Sequence, residues 1–189
     1  MMKRQGLRVR WWGRVLGLRG STSGATLVEL AVAIPILALM MAYAVDFGYF
    51  FIASASIENA ARDAVEYGSA GYQTAGQETL PAGGPITSAT SVSGEAVATL
   101  ASYNASPTTT TVQVCSEANG VSNNVAQCTS YGPTGTSYTP ATDPEAPHFV
   151  LQRVDVTYTV QPPVPMSFFK ISLLPSMKVH RQVSMRALN

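Results

Sequence analysis

The sequence predicts an α+β chain of pilin-like outline. A long N-terminal helix spans a membrane with its first half and packs on a small antiparallel sheet with its second. Three observations predict it. An apolar run occupies Leu30–Val45. Apolar residues then recur in helical phase at Ile57, Ala60, Ala61, Ala64 and Val65. Further on the period changes to two, most cleanly from Phe149 to Val160.

Composition and charge agree with this division. Hydrophobic residues make up 46% of the 189 and charged residues only 12%, about half the charge usual in a soluble domain. Residues 1–24 hold Lys3, Arg4, Arg8, Arg10, Arg14 and Arg19 and no acid. The rest of the chain holds the other six of the 12 Lys and Arg and all 11 acids, a balance of −5. A basic stretch directly before an apolar run keeps its own end cytoplasmic. Because that run follows at once, the stretch is read as a topology signal and not as a nucleic-acid site.

The first segment, 1–24, is a basic leader carrying Trp11 and Trp12. The second, 25–69, is the long helix, on the order of 65 Å at 1.5 Å per residue. Its apolar part is long enough to cross ~30 Å of hydrocarbon. Two residues are unusual for a plain anchor: Glu29 is ionisable near its start, and Pro35 interrupts its first half. Beyond the membrane, Glu58 and Arg62 are spaced for an i,i+4 ion pair. Ser56, Ala60, Ala64 and Gly68 form a row of small residues that seats the chain's own sheet, and Gly68 and Gly71 are stop signals.

The third segment, 70–189, is expected to lie outside the cytoplasm. Residues 69–92 are rich in Gly, Ser, Thr and Pro and read as loop. A short helix follows from about Gly94 to Tyr103, with Ser93 as its N-cap. Strands are expected at Thr109–Cys115, Phe149–Val160 and Met177–Ala187. In the second, Val154, Val156, Tyr158 and Val160 form an apolar face, and Arg153, Asp155, Thr157 and Thr159 a polar one. In the last strand Arg181 breaks an apolar face of Met177, Val179, Val183 and Met185. Residues 116–148 read as a polar, turn-rich connection. Cys115 and Cys128 are the only cysteines, and outside the cytoplasm they are expected to pair as a disulfide. Two ligands without a suitably spaced histidine do not make a zinc site.

The constellation that points to function lies at the membrane border: Gly24-Ala25-Thr26-Leu27-Val28-Glu29, then the apolar run. A basic leader ending in glycine, with a carboxylate at the fifth position after it, resembles the signal of type IV pilins. Downstream, Asp46-Phe47-Gly48 and Asn59-Ala60-Ala61-Arg62-Asp63-Ala64 are similar to the corresponding stretch of TadE-like proteins, with Asp63 and Ala64 where that family usually has Glu and Gly. The resemblance covers about residues 20–70 well and the last strands loosely. It implies a minor pilin or pseudopilin of a Tad/Flp pilus system in the bacterial inner membrane. It implies cleavage between Gly24 and Ala25 by a prepilin peptidase, and a docking role for Glu29. The implied partners are Flp-type major pilin, other minor pilins, an inner-membrane platform protein and a secretion ATPase, besides membrane lipid and no nucleic acid.

No catalytic residue, cofactor or metal is expected, and the chain is not read as an enzyme: Gly20-Ser21-Thr22-Ser23-Gly24 puts Thr22 where a nucleophile elbow needs Ser, and there is no phosphate loop. Two alternatives stand beside this reading. One is a soluble domain released by a conventional signal peptide cut after Ala42-Tyr43-Ala44. The other is an uncleaved single-span envelope anchor.

Overall fold

The computed structural model describes residues 22–70, 80–122, 125–133, 137–139, 149–164 and 175–188. The leader with Trp11 and Trp12 lies outside them, apart from its last three residues. Two compact units divide at Ala44 and Val45. The described elements are α1 (Thr22–Ser69), α2 (Val92–Thr99), a 3-10 turn (Ala101–Tyr103), β1 (Thr110–Ser122), β2 (Val125–Tyr131), β3 (Phe149–Val160) and β4 (Met177–Leu188).

In the first unit α1 exposes large apolar side chains on every face. Leu27, Val28, Val32, Ile34, Leu37 and Met40 are all more than half exposed. A soluble helix hides such residues on one face; a helix that shows them on every face suits lipid. Pro35 lies inside the helix. The helix is long and apolar enough to cross a membrane once.

In the second unit α1 is amphipathic. Phe50, Ala53, Ile57, Ala60, Ala61, Ala64 and Val65 are buried, a spacing of threes and fours that makes one stripe. The opposite face carries the Arg62–Glu58 ion pair at 2.8 Å. The small row does seat the chain's own structure: a Cβ on Gly68 would lie 3.3 Å from Val92 and 3.5 Å from Gln152. Ser69 closes the helix by donating to the Glu66 carbonyl at 3.0 Å.

Ser91, and not Ser93, caps α2. Its hydroxyl accepts from Gly94 N–H at 3.0 Å and donates to Ser88 and Pro85 carbonyls. Ser93 is instead fully buried, with its N–H on the Gly83 carbonyl. The helix starts there because Gly94 admits the Ser88 carbonyl; a Cβ would meet that oxygen at 1.7 Å. Its buried Val92, Ala96 and Val97 join Leu100 in the core.

The sheet is antiparallel throughout, in the order β2-β1-β3-β4. Its inner face sets Val112 opposite Val156 and Val114 opposite Val154, all fully or almost fully buried beneath α1 and α2. Burying one such side chain contributes about 1.5–3 kcal/mol. Two features correct the sequence reading. The 116–148 stretch is not only turns: β1 continues to Ser122 and β2 pairs with it, with a register shift between Ser116 and Val121. Gly120, at φ 100°, supplies the left-handed step there. The polar face of β3 is also not solvated, since Arg153, Asp155 and Thr157 are buried beside Gln113.

Candidate functional site

The residues singled out at the membrane border share the first turns of α1. Gly24 and Ala25 are helical, and Glu29 lies one turn beyond Ala25. Positions i and i+4 share a face, about 6 Å apart along the axis. The Glu29 side chain is exposed and has no hydrogen-bond or ion-pair partner among the described residues. A Cβ added at Gly24 would find nothing within 4 Å. Packing among the described residues therefore does not require glycine there. Glycine in a helix costs about 1 kcal/mol relative to alanine, so it weakens the first turn locally.

Cys115 and Cys128 belong to the second unit. They face each other across β1 and β2 and are joined by a disulfide, with Cα atoms 4.0 Å apart. The pair fixes the register of the β1–β2 hairpin and lies on the outer sheet face, in register with Arg153.

That outer face carries a cluster which the sequence did not reveal. Arg153 donates to both Asp155 oxygens, at 2.8 and 3.0 Å. His180 Nε2 lies 2.9 Å from Asp155 Oδ1. An ionised carboxylate only accepts, so Nε2 carries the proton in this contact. Tyr138 stacks on the His180 ring. Gln113 accepts from Tyr138 N–H at 2.8 Å and donates to its carbonyl at 2.7 Å. The Gln113 hydrogen bonds and the His180 stacking fasten the Tyr138 segment over the sheet.

Asp46 is a second residue whose part was not legible. It is 2% exposed, and its Oδ1 accepts from Val164 N–H at 3.1 Å. The contact ties α1 to the segment after β3. Gly48, two residues on, has open space at its Cβ. In the Asn59–Ala64 block the three alanines are fully buried, and Asp63 accepts a long hydrogen bond from Thr99 at 3.4 Å. That block therefore serves packing.

Two grooves lie among the described residues of this unit. An open one of about 790 Å³ is lined by Tyr49, Tyr103 and Tyr158. Tyr158 donates to the Tyr103 carbonyl at 2.8 Å, and burial, with Tyr49 as a smaller cause, pushes its phenol above the ordinary 10.0. The other, about 350 Å³, lies between α1 and β4, with Phe47, Phe51 and Arg181 on its walls.

Residues 24–66 match the family model described as TadE-like protein. The match starts at Gly24 and lies wholly within α1, so it includes Glu29 and Asp46 but no part of the sheet. No curated protein and no solved structure matches the chain.

Proposed function

We propose that the chain is a minor pilin or pseudopilin that takes part in assembling a Tad/Flp-type pilus, and that it acts as a structural subunit and not as an enzyme. The observation that carries this reading is the TadE-like match, which begins at Gly24 and runs from there through the amphipathic half of α1. The lipid-suited surface of residues 24–44 supports a single-pass anchor. The basic residues before Gly24 support a cytoplasmic N-terminus in the bacterial inner membrane.

On this reading a prepilin peptidase cuts after Gly24. The glycine meets no neighbour among the described residues, and its smallness suits a peptidase cleft while its low helix propensity eases opening of the first turn. The new amino group of Ala25 then stands one turn from Glu29. Domain 25–189 stays anchored by α1, with its sheet outside the cytoplasm. There it meets the Flp-type major pilin, other minor pilins and the platform and ATPase of the machine.

N-terminal sequencing of the mature protein, together with the Gly24→Val variant, tests the reading. An N-terminus at Ala25, and a Gly24→Val chain that keeps residues 1–24, are the expected results. An N-terminus at Val45 would establish the released-domain alternative. Intact residues 1–24 in the wild type would establish the uncleaved anchor.

A further inference from the structure

The groove between α1 and β4 has no part in the assembly reading, yet its chemistry is unusual. Phe47 and Phe51 are 73% and 74% exposed. They lie one turn apart on α1, directly after the apolar run in sequence. Across from them is β4, an edge strand of the sheet. Arg181 sits in register with Val156, on the strand face that also carries Val179 and Val183. It is the residue that breaks the apolar alternation of β4.

Arg181 reaches α1. Its guanidinium donates to the Ser54 hydroxyl and, at 3.1 Å, to the His180 carbonyl. Both acceptors are neutral, so its positive charge has no carboxylate counterpart among the described residues. The nearest acid along the strands, Asp155, is engaged by Arg153 and His180. Those two hydrogen bonds use two of the guanidinium's five donors, and the exposed Arg181 side chain lines the groove. Lys178 lines the same groove. A fixed, exposed guanidinium beside exposed aromatic rings matches a ligand with an anionic oxygen group and an apolar body. Phosphate accepts from an arginine fork, and aromatic rings are favoured at the level of lipid headgroups.

We propose that this groove seats an anionic phospholipid, with Arg181 on the headgroup phosphate and Phe47 and Phe51 against the upper acyl chains. The site holds the extracytoplasmic domain at a set height and rotation on the bilayer until the subunit leaves it. The proposal rests on the membrane-anchored reading above. Its chief rival is a second copy of the chain covering the same aromatic rings.

The test uses the full chain, reconstituted into vesicles of phosphatidylcholine alone or with phosphatidylglycerol. Flotation reports insertion, and native mass spectrometry after mild re-extraction reports retained lipid. The expected result is insertion into both vesicles with selective retention of phosphatidylglycerol. Arg181→Gln should lower that retention several-fold, and Arg62→Gln, on the ion-paired face of α1, should not. Phe51→Ser removes an exposed ring without touching the core, and should also weaken retention if Arg181→Gln fails to fold. Equal retention of the two lipids, or unchanged retention in both groove variants, overturns the proposal. So does a photo-crosslinker at position 47 that captures a second copy instead of lipid. Failure of the wild type to float overturns the anchored reading and this proposal with it.

Discussion

The ring of His180 stacks on that of Tyr138, with centroids 3.8 Å apart and planes 7° from parallel. The same imidazole hydrogen-bonds Asp155. One residue of the edge strand thus joins a buried carboxylate to the segment that covers it. The Asp155 side chain is fully buried and that of Arg153 is 9% exposed, so the outer face works as a second, polar core.

Removing Asp155 tests this directly. Asp155→Ala leaves Arg153 buried without its carboxylate and frees His180. Breaking a buried pair in this way costs about 3–5 kcal/mol. Thermal melting of the detergent-solubilised full chain should show a large fall. A matched exposed change, Glu58→Ala, should cost no more than about 0.5 kcal/mol. Equal effects of the two would mean that the cluster is solvated and the cover does not hold.

The disulfide gives a second prediction. Cys115 and Cys128 are 13 residues apart, and closing a loop of that size contributes ~3 kcal/mol in the chain-entropy model. Protein extracted from the envelope and alkylated without reductant should take up no label; after reduction it should take up label at both cysteines. The Cys115→Ser, Cys128→Ser double variant should melt earlier. Immediate labelling of both thiols would count against the bond and against an extracytoplasmic domain.

Tyr158 predicts a specific alkaline behaviour. Burial, then Tyr49, raises its folded pKa above 10.0, while the unfolded phenol titrates near 10. The neutral form is the one the fold favours. Its stabilisation is complete below about pH 10 and is lost as pH rises through the folded value. Tyr158→Phe loses the bond to the Tyr103 carbonyl, about 1 kcal/mol at neutral pH, but it cannot ionise. The stability gap between wild type and variant should therefore narrow as pH rises above about 10. Melting curves across that range check it, and a widening gap would contradict the assigned direction.

The parts of the fold that were legible in the sequence are those where burial and polarity coincide. Val154, Val156 and Val160 alternate cleanly, and β3 lies where they place it. The outer face was not legible, because Arg153 and Asp155 look like solvent-facing residues until each is seen to satisfy the other. β2 was missed because its seven residues, Val125–Tyr131, include few large apolar side chains; cross-strand pairing to β1, not its own pattern, makes it a strand. Ser93 has the side chain of a cap, but Ser91 takes that place, with its hydroxyl on Gly94 N–H and the Ser88 carbonyl packed against Gly94. Arg181 looked anomalous because its partner, Ser54, is 127 residues away. At the membrane border, by contrast, the signal is local. Gly24, Ala25 and Glu29 lie within one and a half turns, and their spacing alone presents them together.

Glu29 separates assembly from anchoring. A carboxylate in an apolar segment is costly unless it is paired or reaches water. The described chain gives it no ion-pair partner. Cleavage after Gly24 would create one within the chain, since the Ala25 amino group would stand four residues away on the same face. A helix start also favours negative charge. Those local terms suffice to keep Glu29 in place and give it no role between molecules. An assembly role asks for more: the carboxylate of one subunit meets the amino group of its neighbour and sets their axial register. Inside lipid such a pair discriminates sharply, because a subunit out of register leaves a charge without a partner. Glu29→Gln keeps size and shape and removes the charge. On the proposed reading it should insert and be cut after Gly24 to the same extent as wild type, yet co-purify with the other pilins several-fold less well. Tagged protein pulled from solubilised membranes measures this, with the mature N-terminus checked in the same sample. If the variant is processed and co-purifies as wild type does, Glu29 acts only on its own helix.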